Sequence, residues 1–224
     1  MCAFALTIPR TAPNYLCREE AASSLRGQWL DNGLRSNVIS AEVRMENGKD
    51  TYSDLRINGK PVSGDIDKHL PQHSVGEFTN LMGALFSPQA GAEFKFAKET
   101  RLHGADALLF NFTVHRATNK GLWYLHIGDK VFFPGYRGVV TVNREHEQLM
   151  RIEMHATELE HVPIVSHTVT LDFSDVPLGD GTSFVLPVRS TFENCENPQR
   201  CIFNESTFHG CRKFGANSRI IASP

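Results

Sequence analysis

Apolar and polar residues alternate along much of this chain with a period of two. In the stretch 106–115 one set of side chains is apolar and the other is mostly polar: Leu108, Phe110, Phe112 and Val114 alternate with Leu109, Asn111, Thr113 and His115. The same alternation recurs at 149–156, 168–173 and 184–188, and in a shorter form around Phe94 and Phe96. A period of two predicts strands with one buried face, which is typical of antiparallel rather than parallel sheets.

Turn-forming residues separate these predicted strands. They are Asn47-Gly48, Asn58-Gly59, Gly104-Ala105-Asp106, Gly128-Asp129, Arg144-Glu145-His146 and Gly179-Asp180-Gly181. Because Asn-Gly and Gly-Asp pairs favour tight turns, successive strands are expected to be neighbours in the sheet. The spacing therefore predicts a meander.

One helix is predicted among the strands. Ser74 and Glu77 have the spacing of a capping box, and apolar residues follow at helical spacing until Pro88. These apolar residues are Phe78, Leu81, Met82, Leu85 and Phe86. A second, weaker helical or irregular stretch is expected from Glu19 to Trp29.

These elements predict a β-rich α+β fold. A single antiparallel meander sheet would curve as a half-barrel over one or two helices, because the apolar stripe of the helix from Ser74 to Phe86 must be covered by the apolar side of the sheet. We expect one domain over residues 13–224, preceded by a disordered or processed segment at residues 1–12.

Charge and hydropathy exclude several classes of protein. The chain has 23 Lys and Arg against 25 Asp and Glu, for a net charge of -2, and it has no basic block, so no nucleic acid partner is expected. No apolar run reaches about 18 residues, so a membrane-spanning helix is not expected. The first residues, from Met1 to Arg10, lack the basic and apolar regions of a secretory signal.

Common catalytic signatures are absent from the sequence. It contains no G-x-S-x-G elbow, no Walker A loop, no G-x-G-x-x-G and no H-E-x-x-H. We therefore predict that the protein is not an enzyme, with no catalytic residues and no cofactor. A metal site built from Cys195, Cys201, His209 and Cys211 lacks the spacing of known zinc modules, and no metal is predicted.

The chain has five cysteines, an odd number, so at least one thiol is left over if the others pair. Cys195 and Cys201 flank a turn-like stretch, and a disulfide between them is one interpretation of this spacing. The other interpretation is that both are free thiols in a reducing compartment. The spacing alone favours neither.

Phenylalanine is abundant, with 15 residues, and many of them alternate along the predicted strands. Most large apolar side chains of a folded protein form its core. A curved sheet under a single helix can nevertheless have more apolar area than the helix covers, which would leave a groove for an acyl chain or an apolar peptide. The candidate groove residues are Phe94, Phe96, Leu108, Phe110, Phe112, Met150, Ile152 and Met154.

Recognisable motifs occur over nearly the whole chain. They are Gly135–Glu145, Leu149–Met154, Phe184–Arg189 and Cys211–Ile220 in the second half, and Ala12–Cys17, Asn58–Pro61 and Ser74–Phe78 before them. These segments resemble a family of mostly exported acidobacterial proteins, whose pattern is approximately GYRGxVWVDRETGxVLRLxM, then YLLPVR, then YRKFxAESRI, with matching amino-terminal and central motifs. Thr141 and His146 stand where the family pattern has Trp and Thr.

More distantly, the layout is similar to envelope proteins of the LolA, LolB and RseB type, in which an antiparallel half-barrel wraps over helices and encloses an apolar cavity. The resemblance implies a periplasmic or cell-envelope protein, non-enzymatic, that binds or carries a lipid, an acyl chain, a lipoprotein or an apolar peptide on a concave face. The alternative is a structural or regulatory protein-interaction domain without a small-molecule ligand. A hydrolase is a third hypothesis that rests only on the ten histidines, and the oligomeric state stays open.

Overall fold

The computed structural model describes residues 14–27, 37–46, 49–63, 80–119, 123–127, 130–179 and 181–214. Most of these residues are in strands. The strands are β1 (Tyr15–Gly27), β2 (Asn37–Glu46), β3 (Lys49–Ile57), β4 (Lys60–Pro61), β5 (Glu93–Leu102), β6 (Ala105–Val114), β7 (Leu125–Ile127), β8 (Lys130–Phe132), β9 (Gly135–Asn143), β10 (Leu149–Thr157), β11 (Ser166–Pro177), β12 (Ser183–Asn197) and β13 (Arg200–Lys213).

Eleven of these strands form one antiparallel sheet. Its order is β4-β3-β2-β1-β13-β12-β11-β10-β9-β6-β5, and β7 and β8 form a separate hairpin. Nearly all neighbours in the sheet are also neighbours in sequence, as a meander requires. There are two exceptions. β1 pairs with β13 and so joins the two ends of the described chain in the middle of the sheet, and β6 pairs with β9, with the β7–β8 hairpin between them in sequence. With β4 and β5 at its edges the sheet is open, and the predicted β-rich α+β half-barrel is confirmed.

The helix α1 (Asn80–Phe86) precedes β5 and packs against the sheet. Four of the predicted stripe residues are buried in its apolar contact: Leu81, Met82, Leu85 and Phe86. The capping box at Ser74 and Glu77, Phe78 and the expected segment 1–12 lie outside the described residues. We call the side of the sheet that α1 covers the inner face, and the opposite side the outer face.

The expected helical or irregular stretch from Glu19 to Trp29 is wrong for the part that the structure describes. Residues 15–27 are strand β1, hydrogen-bonded to β2 on one side and to β13 on the other. Glu19 and Ala21 are buried, whereas Glu20 and Ala22 are exposed, which is the period of a strand. Pairing on both edges outweighs the helix propensity of this Ala-containing and Glu-containing segment.

A register shift changes the predicted alternation on β10. The pairing of β10 with β9 is irregular between Leu149 and Arg151, so an extra residue interrupts the period of two. As a result Leu149 is buried beside Ile152 in the apolar cluster, and Met150 is only half-buried. Ile152 and Met154 therefore share one face of the strand as predicted, whereas Met150 does not share it.

Candidate binding site on the inner face of the sheet

The largest apolar cluster lies between the inner face and its cover. Strands β6, β9, β10 and β11 contribute its floor, and α1, the β7–β8 hairpin and the segment 158–165 contribute its cover. Its fully buried floor residues include Phe112, Tyr136, Ile152, Met154 and Leu171. We call this set the first apolar cluster. Its floor spans at least four adjacent strands, and among the described residues the helix above it is α1, with seven residues.

Two polar anchors hold the cover in place. The Tyr136 hydroxyl of β9 donates a hydrogen bond of 2.7 Å to the Ala84 carbonyl of α1. The buried Asn119 amide donates to the Trp123 and Pro134 carbonyls at 2.7 and 2.8 Å, and its oxygen accepts from the Trp123 N–H. Burial raises the pKa of Tyr136, so its hydroxyl keeps the proton that it donates. The cover is thus attached by a few specific bonds besides its apolar contacts.

The eight residues predicted to line a groove occupy three environments. Phe112, Ile152 and Met154 are buried in the first apolar cluster, and Phe94 and Phe110 are partly buried against it. Leu108 and Met150 are half-buried. Phe96 on the edge strand β5 is 52% exposed and makes an edge-to-face contact with Phe110. The first five therefore belong to one cluster, and the exposed Phe96 lies beside it.

Aromatic rings form a continuous row from the edge strand to the centre of the sheet. Successive ring centroids lie between 4.8 and 6.4 Å apart. The aromatic row consists of Phe86, Phe94, Phe112, Tyr136, Trp123, His167 and Phe192. Phe94 and Phe112 of this row are predicted groove residues, and Phe86 belongs to the predicted apolar stripe of the helix. Trp123 is not predictable from the sequence, because the contact of a loop residue with Tyr136 depends on tertiary structure.

The inner face becomes polar on β12 and β13. Ser190 and Asn194 lie opposite Leu171 and His167 of β11, and therefore on the same face as the first apolar cluster. Ser206 and Asn204 of β13 lie opposite Ser190 and Phe192. We call the five polar residues Ser190, Asn194, Asn204, Ser206 and His167 the polar patch. All five are buried, and the sequence does not reveal them as a group because a polar residue at an inner position interrupts the apolar pattern.

Beyond the polar patch the inner face is apolar again. Ala21 of β1 lies opposite Ser206, and Ile39 of β2 lies opposite Ala21. These two residues, with Ala41 and Leu55, form a smaller buried cluster, which we call the second apolar cluster. The inner face thus has apolar regions on both sides of the polar patch.

The outer face carries a ladder of ion pairs across β10 to β13. The Arg151 Nε lies 2.6 Å from Asp172 Oδ1, and Arg189 contacts both Asp172 at 3.4 Å and Glu205 at 2.9 Å. Its hydrogen bond with Glu205 raises the pKa of Arg189. These charges pair with one another on a face opposite to the aromatic row, so they do not form an acid and base pair beside an apolar cleft.

Four cysteines are disulfide-bonded. Cys195 and Cys201 are bonded across the β12–β13 hairpin, and Cys17 of β1 is bonded to Cys211 of β13. Glu193 places a carboxylate oxygen within 4.8 Å of the Cys195 and Cys201 sulfurs. However, a metal is bound by thiolates, and sulfurs in a disulfide are not thiolates. Bonding to Cys17 also separates Cys211 from the metal set that the sequence analysis considered.

Comparison of the sequence with protein-family models and with curated proteins finds no match. Among solved structures, an outer membrane lipoprotein-sorting protein domain from Vibrio parahaemolyticus is 12% identical, with a TM-score of 0.50 over 94% of this chain and 90% of that chain. A LolA superfamily protein from Nitrosomonas europaea is 10% identical over 99% and 96% of the two chains, with a TM-score of 0.42. A DUF1329 family protein from Desulfovibrio piger is 13% identical over 97% and 92%, with a TM-score of 0.47.

The likeness to the Vibrio structure spans nearly all of both chains and concerns the fold. The protein therefore has a LolA-like fold, an open antiparallel sheet curved over a helix, as the distant resemblance implied. No helix in the described part of the chain is long and apolar enough to cross a membrane.

Proposed function

We propose that the protein is a non-enzymatic binding or carrier protein of the bacterial cell envelope. It holds an apolar ligand, such as a lipid, an acyl chain, a lipoprotein or an apolar peptide, against the inner face. The observation that carries this proposal is the first apolar cluster, which lies between the inner face of the sheet and, in the described part of the chain, a cover made of α1, the β7–β8 hairpin and the segment 158–165. The LolA-like fold and the Vibrio structure named for lipoprotein sorting support it.

The eight candidate groove residues take different parts in this proposal. Phe112, Ile152 and Met154 are the floor, and they contact the ligand when the cover moves away from the sheet. Phe96 and Phe110 form the entrance at the edge strand, where one ring is exposed and the other is partly buried. The aromatic row then gives a hydrocarbon chain flat, apolar surfaces along its whole path.

The first test is native mass spectrometry of protein purified without detergent from a bacterial host. The expected result is a co-purified mass that disappears on organic extraction and is restored by incubation with fatty acid or phospholipid. A protein that keeps its bare mass after both incubations contradicts the carrier function.

A pair of matched variants tests the entrance. Phe96→Ala removes an exposed ring at the edge of the cluster, and Phe133→Ala removes a ring of similar exposure, 44%, next to β8. We expect Phe96→Ala to weaken binding of a fluorescent fatty acid by about tenfold, because burying one such ring contributes about 1.5 kcal/mol or more. Phe133→Ala should leave this affinity unchanged. An equal loss of affinity in the two variants would contradict the assignment of Phe96 to the entrance.

A specific surface favours the alternative, a structural or regulatory domain that binds a protein partner. Tyr124, Val131 and Phe133 are exposed together on and beside the β7–β8 hairpin, and the rings of Tyr124 and Phe133 lie 6.2 Å apart. Clusters of exposed aromatic residues are frequent at protein interfaces. If this function is correct, Phe133→Ala abolishes capture of a partner, whereas Phe96→Ala does not.

A further inference from the structure

The β12–β13 hairpin brings two cysteines and a carboxylate together on the outer face of the sheet. Cys195 and Cys201 lie directly opposite each other in the register of the two strands, with Cα atoms 4.0 Å apart. Glu193 is two residues before Cys195 and therefore points to the same side of β12. A carboxylate oxygen of Glu193 and the two sulfur atoms all lie within 4.8 Å of one another. We call these three residues the hairpin cluster.

The carboxylate of Glu193 is not engaged by other described residues, with which it forms no hydrogen bond or ion pair. In contrast, the Glu196 carboxylate on the same hairpin lies 3.0 Å from Arg200. Glu193 is half-buried, so its charge loses part of its hydration without gaining a cation from the described part of the chain. A positive ion beside the two sulfurs would supply that missing charge.

The spacing of the hairpin cluster fits a single zinc ion. Zinc binds cysteine sulfur at about 2.3 Å and carboxylate oxygen at about 2.0 Å in a tetrahedral arrangement, so neighbouring ligand atoms lie about 3.5 to 3.8 Å apart. When the disulfide opens, rotation about the two Cα–Cβ bonds separates the sulfurs to this distance while the register of the strands is kept. The carboxylate favours zinc over Cu(I), which prefers sulfur ligands.

A reductant has access to the hairpin cluster from the turn. Residues 197–200 are exposed, and Cys201 is half-buried next to them. Disulfides are opened by a thiolate that attacks one of the two sulfurs, so the attacking group must reach that sulfur. The half-buried sulfur of Cys201 at an exposed turn meets this requirement.

We propose that the hairpin cluster is a redox-controlled zinc site, which binds Zn²⁺ through the thiolates of Cys195 and Cys201 and the carboxylate of Glu193 once the disulfide is reduced. A dithiol reductant supplies two electrons and two protons and itself becomes a disulfide, while Cys195 and Cys201 become thiols. The thiols release their two protons to solvent as their thiolates bind zinc. A water molecule completes the four ligands. Oxidation of the two cysteines to the disulfide removes both thiolates and releases the ion.

The metal site weighed from the sequence combined Cys195 and Cys201 with His209 and Cys211. The structure replaces the last two by Glu193, because Cys211 is bonded to Cys17. The hairpin cluster lies on the face opposite to the proposed apolar binding site. The zinc site therefore goes beyond the carrier function and does not depend on it.

The first test measures zinc binding to phosphine-reduced protein, by competition with a chromophoric chelator and by native mass spectrometry. We expect reduced wild-type protein to bind one zinc ion that is missing when Cys195 and Cys201 are both replaced by Ser, and oxidised wild-type protein to bind none. Cobalt in place of zinc should give thiolate-to-cobalt charge-transfer absorption that the same double variant lacks.

A matched pair of variants tests the carboxylate. Glu193→Gln should weaken zinc binding by about tenfold or more, because the loss of a group that only hydrogen-bonds to a metal ligand already has an effect of this size. Glu196→Gln is the control, since it removes a carboxylate that belongs to the same hairpin and is paired with Arg200. It should leave zinc binding unchanged.

A second measurement stays valid if full reduction, which also opens the disulfide of Cys17 and Cys211, unfolds the protein. In a glutathione redox buffer, alkylation followed by mass spectrometry reports the reduced fraction of each disulfide separately. Free zinc at about 100 times its Kd should raise the ratio of reduced to oxidised Cys195–Cys201 about hundredfold, because zinc binds one of the two forms only. The ratio for Cys17–Cys211 is the internal control and should not change.

Three results would overturn the zinc site. One is equal zinc binding by reduced wild-type protein and by the double variant that lacks Cys195 and Cys201. Another is an equal zinc affinity of Glu193→Gln and Glu196→Gln. The third is a redox equilibrium of Cys195–Cys201 that zinc does not shift, or that it shifts no more than that of Cys17–Cys211. None of these results affects the carrier function, which is tested with apolar ligands.

Discussion

At the scale of single residues, Gly138 sets how closely β9 approaches its neighbours. A Cβ atom at this position would lie 1.8 Å from the Glu153 carbonyl oxygen and 2.9 Å from the Phe112 ring. The missing side chain therefore lets the Phe112 ring of β6 lie over β9 and take its place in the aromatic row. The glycine is needed for space, since its φ angle is not in the left-handed region.

We predict that Gly138→Ala destabilises the protein by about 3 kcal/mol or more, because backbone atoms of β10 must move to admit the methyl group. Gly83→Ala is the control, since a Cβ there meets nothing within 4 Å and lies within α1. That control should be neutral or stabilising by up to about 1 kcal/mol. Denaturant unfolding measures both, and equal stabilities of the two variants contradict the steric role of Gly138.

His167 makes stability depend on pH. Its pKa in the folded protein is about 4, below its ordinary value of 6.5, because burial disfavours the charged ring. Between these two values the unfolded chain binds more protons than the folded protein, so stability decreases as the pH falls from 6.5 to 4.

The expected contribution of His167 to this loss is about 3 kcal/mol between pH 7 and pH 4. It is measured as the difference in unfolding free energy between wild-type protein and His167→Leu at each pH, because the titrating carboxylates are common to both. The variant should become more stable relative to wild type as the pH falls. A difference that does not change with pH shows that the ring of His167 is not buried in a neutral form.

At the scale of elements, the sequence predicts best those strands and helices whose conformation depends on a local pattern of apolar residues. The strands at 105–114 and 166–177 and the apolar stripe of α1 follow from periodicity, and they were predicted. Strand β1 was not, because its partners β2 and β13 decide its conformation and β13 is nearly 200 residues away in sequence.

The candidate site was predicted in part for the same reason. Phe112 and Met154 could be assigned to an inner face from the alternation of their strands. In contrast, a bulge places Leu149 instead of Met150 in the first apolar cluster. An alternation with a period of two does not show where a bulge occurs. The polar patch is formed by the register of β11, β12 and β13, and register is a property of paired strands and not of one sequence segment.

The two disulfides close loops of very different length. Cys17–Cys211 joins residues 194 positions apart and Cys195–Cys201 joins residues 6 apart. On the chain-entropy estimate these loops correspond to about 5 and about 2 kcal/mol.

We therefore predict that replacing Cys17 and Cys211 by Ser lowers the unfolding free energy by more than replacing Cys195 and Cys201. Denaturant unfolding of the two double variants, each compared with wild type, measures the difference. Thiol titration of unfolded, unreduced protein provides the control, with one free thiol expected for wild type and for each double variant, because the remaining disulfide stays closed. An equal loss of stability would show that loop length does not govern the effect.

At the scale of the whole molecule, an open sheet must protect its two edges from pairing with other chains. One edge is β4, which has only two residues. The other is β5, which has ten residues and is therefore long enough to pair with a second strand. Lys95 and Lys98 are exposed on β5, and the pairing with β6 shifts between Phe96 and Lys98. Charges and bulges on an edge strand oppose edge-to-edge association.

If these lysines keep the protein from self-associating, replacing Lys95 and Lys98 by Val should raise the average mass with increasing concentration, because it leaves a long edge strand with high β propensity next to the exposed Phe96. Sedimentation equilibrium over a range of concentrations measures the effect. Lys130→Val is the control, since it removes an exposed charge from the β7–β8 hairpin and not from the sheet edge. A mass that matches wild type at every concentration would mean that the bulge alone protects β5, and that the entrance beside Phe96 stays accessible to a ligand without the two charges.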